Sequence, residues 1–262
     1  MSYTIKPNES ASVIAQKGAF SIVENEKDFS VDYGTAEAAY FASKMNVRTR
    51  QVYCDLSVSP VTVQAGAMQM MVGDVNAKTN IKSAGDFLKK HMKGKVTNES
   101  TIKPVYEGQG TLILEPTRKY LLLFDVSQWG SGMVVEDGSF LACETSTNSQ
   151  VVARKNLSSA MLGGEGLFNM CFSGSGTVCV ESRVPREELV EIQLNNDVLK
   201  IDGSMAVAWS KDLNFYVSRT TKSLVGSAAS GEGLVNVYEG TGKVLVAPIN
   251  NPNFLNYNLV TE

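Results

Sequence analysis

One histidine, His91, stands in 262 residues. A metal-dependent β-helix enzyme gathers two or more imidazoles with a carboxylate around its ion, so no such centre is expected. A Ser-His-Asp or Cys-His relay would also have to run through His91, which lies in a lysine-rich stretch. Gly174-Ser175-Gly176 is too short to be a nucleophile elbow. The segment Gly240-Thr241-Gly242-Lys243 resembles a phosphate loop and fails it twice. Val237 stands where the first glycine is needed, and Val244 follows the lysine where a hydroxyl residue is needed. Gly164-Glu165-Gly166 lacks the third glycine of a dinucleotide loop. No cofactor and no metal are expected. Cys54, Cys143, Cys171 and Cys179 form no C-x-x-C pair, and the last three sit in apolar runs. They read as small buried hydrophobes in a reducing compartment.

Carboxylates and lysines remain. Glu165 and Glu232 occupy equivalent places in similar segments, as do Glu107 and Glu239. A structural role is expected for them, accepting backbone hydrogen bonds in turns. Their catalytic alternative is a hydrolase using carboxylates between repeats. Lys89, Lys90, Lys93 and Lys95 cluster with Lys82 and Phe87, and Arg48, Arg50, Arg183 and Arg186 are further basic positions. A basic face with a stacking aromatic is the footprint of single-strand binding. The net charge of −3 and the confinement of the lysines to one stretch disfavour nucleic acid.

These residues are positioned by a repeating framework. YEGQGTLILEP (106–116), FSGSGTVCVES (172–182) and YEGTGKVLVAP (238–248) share an aromatic, a G-x-G and an alternating strand. Their first glycines, Gly108, Gly174 and Gly240, are 66 and 66 residues apart, followed in each case by Gly110, Gly176 or Gly242. A second set, around Gly66, Gly138 and Gly203, is spaced by 72 and 65. This beat predicts one β unit used three times, near 50–116, 117–182 and 183–248. An extension (1–49) and a tail (249–262) flank a single three-repeat β domain. The runs after each G-x-G are apolar on both faces, as in strands packed between layers. Asp137-Gly138 and Asp202-Gly203 read as hairpin dipeptides. LVEIQLNNDVLKID reads as strand, turn, strand. Thr35–Met45 and Ser83–Met92 read as small helices, the second capped by Ser83 with Asp86 three residues on.

The N-terminus has no basic stretch followed by an apolar run, and it carries Glu9, Glu24, Glu26 and Asp28 without arginine. Neither a secretory signal nor a mitochondrial presequence is expected, and no run reaches the 18 apolar residues of a membrane helix. The expectation is a cytoplasmic protein with no membrane insertion.

In GGEGLFNMCFSGSGTVCVES and SGEGLVNVYEGTGKVLVAP the chain resembles the "altered inheritance of mitochondria" family, bacterial and fungal proteins largely of unknown function. The resemblance covers about residues 50–250 and implies tandem short double-stranded β-helix units. That fold is similar to the tryptophan RNA-binding attenuation protein, whose subunits form rings. The N-terminus fits a bacterial member better than an imported one. The resemblance supplies no catalytic residues. The fold expected is all-β: three tandem attenuation-protein-like repeats with one or two small helices. The function expected is a non-enzymatic oligomeric scaffold or binding protein, with self-association as a trimer, and an RNA-binding ring as the alternative.

Overall fold

Glycine punctuation and apolar alternation set out a chain of short strands, and a computed structural model describes residues 3–27, 30–79, 103–153, 168–219 and 234–249. β1 (Ala11–Lys17) and β2 (Phe20–Asn25) form a hairpin ahead of one helix, α1 (Ala36–Lys44). A first group follows: β3 (Thr49–Asp55), β4 (Val61–Val63), β5 (Met68–Lys78) and β6 (Val105–Leu114). The second is β7 (Tyr120–Asp125), β8 (Met133–Val135), β9 (Phe140–Glu144), β10 (Thr147–Ala153), β11 (Phe168–Gly174) and β12 (Thr177–Ser182). The third is β13 (Val190–Asp202), β14 (Ala206–Ser210), β15 (Asn214–Arg219) and β16 (Leu234–Val246). The protein is nearly all β. Its nine-stranded sheet runs β1-β2-β3-β6-β4-β9-β12-β7 with β5 on β6, and curls almost closed. The seven-stranded sheet runs β10-β11-β8-β14-β16-β13 with β15 on β16, and forms a half barrel.

The three G-x-G segments have corresponding strand partners. The half ahead of the glycines pairs with β4, with β8 and with the second half of β13, placing Val61 opposite Tyr106, Met133 opposite Phe172 and Leu199 opposite Tyr238. The half after the glycines pairs with β3, with β7 and with the first half of β13. Its other side takes the start of β5, then β9, then β14. The first glycine of each motif has positive φ: Gly108 +127°, Gly174 +90° and Gly240 +126°. At Gly108 a Cβ would lie 2.1 Å from the carbonyl oxygen of Asp74 on β5, so the crossing strand leaves room for hydrogen alone. The nine residues 112–114, 178–180 and 244–246 are all buried, as their two-faced apolarity requires.

Two local expectations are corrected. Asp137-Gly138 does not close a hairpin. A turn from Glu136 to Ser139 (N–H to carbonyl, 3.2 Å) carries the chain from β8, which pairs β11 and β14, to β9, which pairs β4 and β12. The two flanking strands lie in different sheets, so this glycine turns a corner. The strands flanking Asp202-Gly203 likewise pair with β16 and not with each other. The Asn-Asn-Asp stretch is not a turn either. β13 is continuous across it with a bulge, Asn195 and Asn196 standing opposite Thr241 alone, and Asn196 takes φ +52° while its N–H donates to Thr241 Oγ1 (2.9 Å). Asparagine tolerates that left-handed backbone, so the strand kinks without ending.

α1 matches the first expected helix. Asp32 accepts from the Thr35 N–H (3.0 Å) and hydroxyl (2.9 Å) at its start, and none of its residues is buried. The second expected helix, 83–92, and the tail from 250 lie outside the described residues. The residues ahead of 50 join the sheet, because β2 pairs β3 along Phe20–Asn25.

Candidate functional site

Two joints stitch the groups together, and their register is shared. β4 pairs β9 with Val61 opposite Glu144, Thr62 opposite Cys143 and Val63 opposite Ala142. β8 pairs β14 with Met133 opposite Ser210, Val134 opposite Trp209 and Val135 opposite Ala208. Nearly every side chain at these joints is buried. The corresponding strands at the two ends of the body carry no such partner among the described residues. β5 pairs only with β6, and β13 only with β16.

The β5 edge carries exposed apolar side chains, and the β13 edge mixes apolar with polar ones. On β5, Met68, Met70 and Met71 are 37%, 45% and 42% exposed. Met70 faces Ile113 on β6 as Ala142 faces Cys179 and Ala208 faces Leu245. Met71 faces Leu112 as Cys143 faces Val178 and Trp209 faces Val244. Those four counterparts are all 3% exposed or less. On β13, Val198 is exposed, Leu199 half-buried and Ile201 buried, with Lys200 exposed between them. An edge row of unpaired amides and carbonyls is a template for another strand.

Inside the body, charged groups are tied down. Glu144, buried, accepts from the Ala19 N–H and the Thr177 N–H, both 2.8 Å, and so locks the β1–β2 hairpin to the start of β12. Gly18 must be glycine there: its φ is +54°, and a Cβ would meet the Glu144 carboxylate. Arg50 is buried on β3. Its Nη2 lies 2.7 Å from Glu24 Oε2 and donates to Asn46 Oδ1 (2.8 Å) and to the Asn46 carbonyl (3.0 Å). Its guanidinium lies 4.4 Å from the centroid of the Tyr120 ring. Arg48 pairs with the other oxygen of Glu24 at 2.7 Å. Burial pushes the Tyr120 hydroxyl up, the Arg50 charge partly opposing it.

All four cysteines are free and buried. Burial pushes all four thiols up, Cys143 to about 12 and Cys54 and Cys179 far above the usual range. A nucleophilic thiolate is therefore disfavoured at each. Glu107 pairs with Lys78, and Glu239 accepts from the Tyr216 hydroxyl (3.1 Å). Glu165, Glu232, Lys82, Lys89, Lys90, Lys93, Lys95 and His91 lie outside the described residues. Gly66, Gly138 and Gly203 sit in connections with φ of +84°, +76° and +66°. An open cleft of about 520 Å³ beside α1 is lined by Ser10, Asn25, Tyr40, Ser43, Arg48 and Arg118 among others. Sequence reasoning singled out neither the methionine edge, nor Glu144, nor the Glu24–Arg50 pair. The run Met68-Gln69-Met70-Met71 was a visible signal, since Ala142-Cys143 and Ala208-Trp209 stand in its place elsewhere.

The fold is similar to that of a protein from Streptococcus pyogenes known from an X-ray crystal structure, SPYM3_0169. The TM-score is 0.58 at 24% identity, over 81% of this chain and 93% of that one. In sequence the chain is 27% identical over 202 residues to the uncharacterized protein M6_Spy0233 of Streptococcus pyogenes serotype M6, covering 74% of this chain and 79% of that protein. A family model described as mitochondrial biogenesis AIM24 matches residues 41–249. The chain belongs to the AIM24 family.

Proposed function

We propose that this protein is a non-enzymatic scaffold or binding protein that works as an assembly of its own copies. One observation carries the reading: among the described residues the β body ends on both sides in an unpaired strand edge, and one of them displays Met68, Met70 and Met71 to solvent. Exposed apolar side chains along an unpaired strand favour association over a lone chain. The cysteines and the described candidate carboxylates point the same way. The thiols are held protonated by burial, and Glu107 and Glu239 are engaged by Lys78 and Tyr216. Four free, buried cysteines suit a reducing compartment, the cytoplasm in this reading.

Light scattering on the intact chain at micromolar concentration tests the proposal. A closed assembly is expected, with three chains as the simplest form. A mass of 28.3 kDa, that of one chain, would overturn it. An RNA-binding ring rests on Lys89, Lys90, Lys93 and Lys95, which lie outside the described residues. Salt-sensitive retention on single-stranded RNA would favour it instead.

A further inference from the structure

The partner surface can be read from the chain itself. Strand β4 of the first group meets β9 of the second, and β8 of the second meets β14 of the third. Aligning the groups on Tyr106, Phe172 and Tyr238 makes Leu199, Lys200 and Ile201 the counterparts of Val61, Thr62, Val63 and of Met133, Val134, Val135. Aligning them on Ile113, Cys179 and Leu245 makes Met70 and Met71 the counterparts of Ala142, Cys143 and of Ala208, Trp209. The chain therefore carries one donor half and one acceptor half of a joint it makes twice internally. They sit on different groups and different sheets, and neither has a strand partner at that edge among the described residues.

We propose that copies of this chain join head to tail, the outer edge of β5 in one pairing antiparallel with the outer edge of β13 in the next. The register places Met70 opposite Ile201, Met71 opposite Lys200 and Val72 opposite Leu199. This names the surface behind the self-association reading and rests on it. The joint repeats the internal ones, so its partner is a second copy rather than an unrelated strand. Its burial fits the side chains. Ala142, Ala208, Cys143 and Trp209 are covered at the internal joints, and Met70 and Met71 are the same positions left 45% and 42% exposed. Methionine is flexible enough to fill the gap at a joint formed between chains. Lys200 replaces Thr62 and Val134 at the centre of the row. Its apolar stem can lie along Met71 while its ammonium reaches water. The contact is heterologous, so each copy uses both edges, and the assembly closes if the rotation per copy allows.

Disulfide trapping tests the register. M71C and K200C are made separately, and the native thiols are buried and do not compete. Facing residues of antiparallel strands have Cα atoms about 4.5–5.5 Å apart, within disulfide reach. Mild oxidation of the two variants mixed should give about tenfold more covalent dimer than either alone, because only the mixture places both thiols at one joint. M71C mixed with V198C is the out-of-register control and should not cross-link above either alone. In a second arm, M70K/M71K should reduce the assembly to one chain with an unchanged circular dichroism spectrum. If the unaltered chain is assembled but the M71C–K200C pair does not cross-link, or M70K/M71K leaves the mass unchanged, this joint is wrong and the scaffold reading survives. If the unaltered chain is a monomer, both fail.

Discussion

Glu144 shows how one side chain holds two parts of the chain together. It is buried, and its oxygens take the N–H groups of Ala19 and Thr177. Glu144→Ala leaves both donors buried and unsatisfied, which should lower unfolding free energy by about 2–4 kcal/mol in a denaturant titration. Glu144→Gln keeps one acceptor and should lose less. A loss below about 0.5 kcal/mol for the alanine variant would show that the carboxylate is not the latch. Arg50 is the second such residue. Arg50→Met removes one of two cations from a buried carboxylate and should destabilise by about 3 kcal/mol, and Arg50→Lys should not restore it, because lysine cannot serve Glu24 and Asn46 with a planar fork. The cysteines give a pH signature. Their thiols ionise more readily in the unfolded chain, so their contribution is complete below the unfolded thiol pKa of about 8.5. It is lost as pH rises towards about 12 for Cys143. The denaturation midpoint should fall between pH 8.5 and 10, and Cys143→Val should flatten the fall. A thiol reagent at pH 8 should label the four cysteines only after denaturant is added.

At the scale of strands and turns, the sequence announces the three G-x-G strands well. Their aromatic, glycine and two-faced apolar pattern demands a buried strand, and residues 112–114, 178–180 and 244–246 are such strands. It announces their partners poorly. Asp137-Gly138 carries the chemistry of a positive φ, which a hairpin and a sheet-to-sheet corner both need, and only the pairing of β8 and β9 with other strands separates the two. Asn195-Asn196 carries the same ambiguity between a turn and a bulge. That distinction is testable: Asn196→Gly should be neutral within about 0.5 kcal/mol, and Asn196→Val should destabilise by about 1–2 kcal/mol, because a β-branched residue resists φ of +52°. The open edges were legible only in part. Repeat alignment shows Met70 and Met71 standing at Ala-Cys and Ala-Trp positions, but exposure depends on what pairs with β5, a non-local fact. Glu144 left no local trace, because its partners are 125 and 33 residues away, and Arg50 left little, because only Asn46 is near it in sequence while Glu24 and Tyr120 are distant.

The whole molecule is organised by three cores, each built mainly from one group and completed by residues of a neighbour. One core joins Leu121, Leu141 and Cys179 of the second group to Val52, Leu112 and Leu114 of the first. A second sets Trp129, Met133 and Phe172 against Val207, Ala208 and Leu245 of the third. A third sets Val134 and Cys171 against Trp209, Tyr238 and Val244. No group closes its own apolar faces, so the groups cannot unfold one at a time without opening a shared core. The two tryptophans allow this to be measured, since Trp129 reports the second core and Trp209 the third. Trp129→Phe and Trp209→Phe each leave one reporter. After correction for the stability each variant loses, measured by circular dichroism, the fluorescence midpoint of each should coincide with its own circular dichroism midpoint. Separate midpoints would mean independent groups, and a body of loosely strung modules would then have to replace the continuous one from which both open edges take their fixed positions.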